Sequence, residues 1–134
     1  MPFYEWDPKT LSVNVTEMDN EHQVLIKKMN AVFDAAKSGA DRTSLDAVVS
    51  DFASYTISHF KDEEAYMEKM GFPGLATHRL IHKQLIEQVT AHIVEFQSTG
   101  KLSEKFFSFL SVWLTSHIRG IDSKYGEFKK AKAS

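Results

Sequence analysis

Apolar residues recur at steps of three and four along most of this chain, the spacing that puts them on one face of an α-helix. The first such stripe runs through Met18, His22, Leu25, Met29, Val32 and Ala36 and stops near Gly39, with Thr16 standing where an N-cap belongs. A second starts between Asp41 and Ser44, carries Leu45, Val49, Phe52, Thr56, His59, Glu63, Tyr66 and Met70, and ends at Gly71 with Pro73 just beyond. A third runs from Leu75 through His78, His82, Leu85, Val89 and Phe96 to Gly100. Ser103 is placed to cap a fourth, with Glu104 in its first turn and Phe106, Leu110, Trp113 and His117 on its stripe. The spacing therefore predicts helices over about 17–37, 43–70, 75–98 and 103–119, a bend or end near Gly120, and a short continuation to about 130.

Connections of a few residues between helices of this length force antiparallel neighbours. The expected fold is all-α: an up-down-up-down antiparallel four-helix bundle, forming one domain over 1–134. The N-terminal arm, about 1–15, holds Phe3, Tyr4 and Trp6 and is too apolar for a free tail, so it should pack along the bundle.

With 134 residues, 43% of them hydrophobic and 25% charged, the chain can build one hydrophobic core. Its net charge of −2, with a short basic run only at Lys129, Lys130 and Lys132, lacks the footprint of a nucleic-acid binder. Cysteine is absent, so there are no disulfides or thiolate sites, and any metal must be held by His, Asp and Glu. No apolar run approaches the roughly 18 residues of a membrane span, and the first residues have no apolar leader segment. A soluble, cytoplasmic, monomeric protein is expected.

Composition is ordinary; the inner stripes are not. His22, His59, Glu63, His78, His82 and His117 all stand at core-facing positions. An ionised Glu buried without a partner costs several kcal/mol, so something must compensate it. Residues four apart on a helix are about 40° apart in azimuth and about 6 Å apart along the axis, so both members of His59/Glu63 and of His78/His82 can reach one small site. His117 and Asp122 are five apart, and a regular helix would aim them about 140° from each other. A bend, wide turn or helix end at Gly120 must then swing Asp122 inward. A single inward histidine is usually a hydrogen-bonded core residue; five, with two carboxylates converging from four helices, point to metal. His92 lies about 15 Å along the axis from His82 and reads as an ordinary boundary residue. Asp62 and Glu64 flank Glu63 at roughly 100° and read as solvated, while Met18, Met29, Met67, Met70 and the run Phe106-Phe107-Ser108-Phe109 read as packing.

Five imidazoles and two carboxylates exceed the four ligands of a zinc ion and suit a pair of ions. If both carboxylates bridge, five nitrogens, four oxygens and one shared oxo or hydroxo group, counted once for each ion, fill eleven of the twelve positions of two octahedra. One position stays open for a small ligand.

MDNEH at 18–22, HFKDEE at 59–64, HRLIH at 78–82 and WLTSHIRGID at 113–122 together resemble hemerythrin, specifically its single-domain bacterial form, over nearly the whole chain. The resemblance implies two iron ions: one bound by His78, His82 and His117, the other by His22 and His59, bridged by Glu63, Asp122 and an oxo or hydroxo group. It implies reversible O₂ binding at the iron with two histidines, in a pocket walled by Phe60, Trp113, Leu114 and Ile118. Storage, delivery or scavenging of oxygen would follow. The alternatives are a di-iron oxidase or peroxide- or NO-consuming enzyme, and an O₂ or redox sensor acting through a separate partner. Ferritin-like oxidases use more carboxylates and Glu-x-x-His pairs, which these positions lack. No Ser/His/Asp triad, phosphate-binding Gly loop or thiol is present, so no catalytic residue is assigned and no enzyme is expected.

Overall fold

A computed structural model describes residues 3–133, with the side chains of 3–132; positions 1 and 2 of the expected arm, and Ser134, lie outside it. The arm contains one turn of helix, α1 (Pro8–Leu11), absent from the periodicity reading. Asp7 caps it by accepting from the Lys9 amide at 3.0 Å, and Pro8 supplies a preset φ at the first helical position. The remainder is α2 (Thr16–Lys37), α3 (Arg42–Met70), α4 (Leu75–Thr99), α5 (Glu104–Ser116), a π-helical segment at His117–Asp122, and α6 (Ser123–Ala133). Since α5, the π segment and α6 form one continuous rod, the bundle has four rods joined by connections at 38–41, 71–74 and 100–103. No helix among the described residues is long and apolar enough to cross a membrane.

The ends of the rods follow local chemistry. Asp41 accepts from the Ser44 amide at 2.8 Å, and Ser103 accepts from the Phe106 amide at 3.1 Å, each satisfying an amide the helix leaves free. Gly71 (φ 71°) and Gly100 (φ 76°) end α3 and α4 in the left-handed conformation open to glycine. Thr16, expected as a cap, is instead the first residue of α2, preceded by fully buried Val15 with no side-chain cap. Burial of Val15 holds the chain there. Asp19 does the polar work, accepting from the Val13 amide at 2.8 Å and the Ser12 hydroxyl at 2.6 Å.

The arm lies on the bundle through Phe3, whose ring stacks on Phe33 at 4.5 Å and meets Phe107 edge-on at 5.7 Å. Asn30 clamps Tyr4 by two hydrogen bonds, at 2.9 and 2.8 Å. Leu25, Met29, Phe52, Phe96, Phe106 and Leu110 are among the most deeply buried apolar side chains. On α3 the last inward position is Met67, fully buried, with Tyr66 only partly covered. His22 and His78 lie near the starts of their helices, His59 and Glu63 near the end of α3, and His117 just past the end of α5. In an antiparallel bundle these are the same end.

Candidate metal centre

His22, Glu63 and Asp122 have no solvent exposure, and His59, His78, His82 and His117 are buried. Each rod sends its contribution through its own register: His22 from α2, His59 and Glu63 one turn apart on α3, His78 and His82 one turn apart on α4. The fourth rod solves the five-residue gap with the π segment. Hydrogen bonding to the fifth residue, instead of the fourth, widens the turn and lets residues five apart share a side. His117 Nε2 and Asp122 Oδ1 thereby come within 3.0 Å. Of a bend, a wide turn and a helix end, the protein uses the wide turn.

The carboxylates lie between the imidazoles. Asp122 turns Oδ1 to Nε2 of His78 and His117, at 2.9 and 3.0 Å, and Oδ2 to Nε2 of His22 at 3.0 Å. Glu63 turns Oε2 to His22 at 3.1 Å, and Oε1 to Nε2 of His82 at 3.2 Å and of His59 at 3.4 Å. Two overlapping groups result: Glu63, His78, His82, His117 and Asp122 in one, His22, His59, Glu63 and Asp122 in the other. Both carboxylates belong to both.

Charge in this dry space is balanced internally. Burial would lower the His22 pKa, but hydrogen bonds and charge from Asp122 and Glu63 overcome it and raise it to about 10. His117 is likewise raised, against burial, by the charge and hydrogen bond of Asp122. Burial and the charge of Asp122 would raise Glu63, yet the His59 charge and the hydrogen bonds of His22 and His82 bring it down to about 2. Asp122 is held well below the carboxylate range: burial opposes this, and His117, His22 and His78 outweigh it.

The donor set fits metal ions on a structural observation. Glu63 Oε1, both oxygens of Asp122 and His78 Nε2 are buried and crowd against one another or other imidazole nitrogens at 2.9–3.4 Å, yet none has a well-aligned hydrogen-bond partner among the described residues. Orphaned buried acceptors of this kind are costly unless a ligand satisfies them. His82 Nε2 and His117 Nε2 face each other at 3.2 Å, and two neutral imidazoles can occupy that arrangement only if one donates. Cations between these atoms would give Glu63, Asp122, His78, His82 and His117 the partners they lack.

Three residues join this site that periodicity did not reveal. Glu21 accepts from or shares a proton with His59 Nδ1 at 2.7 Å, and Glu64 does so with His82 Nδ1 at 2.8 Å. Each places a carboxylate behind a ring whose Nε2 faces inward, an arrangement that orients a metal-binding imidazole. Glu64 is therefore not solvated as expected: its side chain is 25% exposed and is also held by Arg79. Asp62 is exposed, as expected. Fully buried Tyr125, three residues beyond Asp122, donates its phenol to Glu63 Oε2 at 2.6 Å. Burial and the charge of Glu63 push that phenol pKa up, so it remains a donor. The gain from a carboxylate on the second nitrogen of an inward imidazole is the signal that could have drawn attention to Glu21 and Glu64; Nδ1 of His22 and of His117 has no such partner among the described residues.

Phe60 stacks on His82 with ring centroids 3.8 Å apart and planes 1° apart, and lies 5.8 Å from the His117 ring and 6.2 Å from the Trp113 ring. Leu114 and Ile118 are buried on the same rod as His117. His92 sits apart, 5.3 Å from the Phe106 ring and 5.2 Å from that of Phe109.

A family model described as "Hemerythrin HHE cation binding domain" matches residues 13–128. The chain is 32% identical to a bacteriohemerythrin of Stenotrophomonas maltophilia over 121 residues, covering 90% of this chain and 78% of that one. It is 33% identical to a myohemerythrin of Riftia pachyptila over 122 residues, covering 91% and 90%. Its fold superposes on a crystal structure of wild-type hemerythrin with a TM-score of 0.85, at 26% identity, over 92% of this chain and 95% of the other. Matched in sequence over most of its length and in fold over nearly all of it, with a buried histidine–carboxylate cluster where four rods meet, the chain belongs to the hemerythrin family.

Proposed function

We propose that this protein binds O₂ reversibly at a pair of iron ions. His78, His82 and His117 would hold one ion and His22 and His59 the other, with Glu63, Asp122 and an oxo or hydroxo group as bridges. The observation that carries this reading is the division of each carboxylate: Asp122 and Glu63 each present oxygens to imidazoles of both groups. A pair of iron ions so bound supplies the two electrons that O₂ takes up on binding and returns on release.

The chain's own residues account for restraint in this chemistry. Phe60, Trp113, Leu114 and Ile118 exclude water beside the ligands, which removes a route for displacing a bound ligand or delivering protons to it. Trp113 adds one polar hydrogen, since its Nε1 is buried without a partner among the described residues. An indole N–H can donate a hydrogen bond but does not give up its proton in this pH range. Glu21 and Glu64 hold the His59 and His82 rings from behind, and Tyr125 fixes one oxygen of Glu63. A carrier, rather than an oxidase, is the better match for a histidine-rich set.

The test is metal analysis with visible spectra of the protein reduced anaerobically, exposed to air, and deoxygenated again. Two irons per chain and a colour that comes and goes with O₂ are expected. Irreversible oxidation would favour an enzymatic or redox-sensing role, and absence of metal in protein from iron-replete cells would overturn the reading. Leu114→Ala and Ile118→Ala should each cost about 2–5 kcal/mol of stability and speed autoxidation. Unchanged autoxidation in both would count against the shielding role.

A further inference from the structure

The hydrogen bond from Tyr125 to Glu63 has a continuation that oxygen binding does not use. The Tyr125 ring meets that of Tyr66 at 5.7 Å, with the planes 66° apart, and lies 5.9 Å from the ring of His78. Tyr125 is fully buried, whereas Tyr66 is half-buried and lines a cleft of about 520 Å³ with Glu17, Met18, Lys69 and Met70. One side of the metal centre is thus joined to the surface by two phenols in ring contact, ending among two thioethers. In a protein without cysteine the readily oxidised side chains are phenols, indoles and thioethers, and on this side of the centre the structure places two phenols and two thioethers.

We infer that Tyr125 and Tyr66 form an exit path for oxidising equivalents, which drains them from the metal centre to the cleft when hydrogen peroxide over-oxidises it. This rests on the di-iron reading. Reducing one hydrogen peroxide to two waters takes two electrons and two protons. Oxidation of one phenol to a phenoxyl radical yields one electron and one proton, so one peroxide draws on both tyrosines. When only Tyr125 has been oxidised, it regains an electron and a proton as Tyr66 loses one of each. The radical then stands at the cleft, where a one-electron reductant of the ascorbate or thiol class returns an electron and a proton to it, or where two successive phenoxyl oxidations, with one water supplying the oxygen, convert Met18 or Met70 to its sulfoxide and release two protons, which the reduced phenols take up. Damage is moved from ligand imidazoles, whose loss would empty the site, to groups whose oxidation leaves it intact. Placement supports this role: the ring that touches the site is shielded from solvent, and the ring that touches solvent is kept away from the ligands by the first.

The experiment compares wild type, Tyr66→Phe and Tyr125→Phe, each loaded with iron and analysed for metal before exposure to hydrogen peroxide. Electron paramagnetic resonance reads phenoxyl radicals in frozen samples, and peptide mass spectrometry reads oxidation at Met18, Met70 and the ligand histidines. Tyr66→Phe keeps the ring and removes only the phenolic oxygen, so it should fold and hold iron. It should lower Met18 and Met70 oxidation several-fold and raise ligand oxidation and iron loss; Tyr125→Phe should abolish radical at Tyr66. An oxidation pattern in Tyr66→Phe identical to wild type, or no phenoxyl signal in iron-loaded wild type, would overturn the path while leaving the function intact. A wild type that takes up no iron would overturn both. If Tyr125→Phe loses metal, Tyr66→Phe decides alone.

Discussion

Glu63 is the residue on which most of the site depends. It receives the Tyr125 phenol and faces His22, His59 and His82, so Glu63→Ala would leave a buried hydroxyl and three imidazoles without their common acceptor. Loss of at least one iron per chain is expected by metal analysis, and retention of two would refute its assignment as a bridge. Glu21→Gln and Glu64→Gln keep shape but remove the charge behind His59 and His82, and should each weaken metal binding by about 10–100-fold, measured by competition with a chelator. His92→Ala should leave metal content unchanged, because its ring packs on Phe106 and Phe109 away from the cluster. At this scale the five histidines and Glu63 were legible as candidates, since each lies on an inward stripe at helical spacing, whereas Asp122, five residues from His117, reaches the site only through the wide turn. Glu64 and Glu21 were not legible, because a residue one step off the stripe points about 100° away and reaches a site only if the neighbouring helix supplies the target.

Among the elements, the π segment carries the clearest consequence. Gly120 was read as the cause of the irregular turn, but its φ is not positive and a Cβ added there meets nothing within 4 Å. Gly120→Ala should therefore keep its metal and its melting temperature within a few degrees of wild type; loss of Asp122 from the site, seen as metal loss, would show that glycine holds the turn open. Gly126 is different. A Cβ on it would sit 1.9 Å from the Val13 carbonyl oxygen, so the arm lies against α6 only because this residue has no side chain. Gly126→Ala should cost about 1–3 kcal/mol in thermal unfolding despite its better helix propensity, since backbone must move to relieve the clash. Asp41 offers a pH test. Its pKa is lowered by the amide and hydroxyl of Ser44, so the cap stabilises α3 above the ordinary carboxylate pKa and is lost as pH falls through the depressed value. Asp41→Ala should melt below wild type at pH 7, and the difference should close in strong acid; a constant gap would argue against capping.

For the molecule as a whole, the centre couples metal, protons and stability. In metal-free protein His22 has its pKa raised from 6.5 to about 10, so its stabilisation is full below 6.5 and lost as pH rises through about 10. Glu63 is lowered from 4.5 to about 2, and its stabilisation is present above 4.5 and lost as pH falls through about 2. Metal must displace the proton on His22 and whatever proton His117 carries, so loading at pH 7 should release at least about one proton per chain, measurable with a pH indicator in weak buffer. The rise in melting temperature on loading should be larger at pH 9 than at pH 6, because fewer protons compete. Equal rises at both would mean that imidazole protons do not compensate the buried carboxylates.

Helical periodicity, turn residues and caps are local, so the chain by itself determined four rods, their order and the inward face of each, and thereby which histidines and which Glu face inward. It also showed that His117 and Asp122 require an irregular turn, because a regular helix cannot bring residues five apart together. Packing decided what no single helix encodes: the relative rotation and depth of the rods. That rotation sets which oxygen of Asp122 faces which imidazole, puts Glu21 and Glu64 behind rings on neighbouring helices, and brings Tyr125 from beyond the π segment onto Glu63. These contacts join residues 18 to 100 positions apart, and their directions depend on angles between helices that the spacing within one helix does not contain.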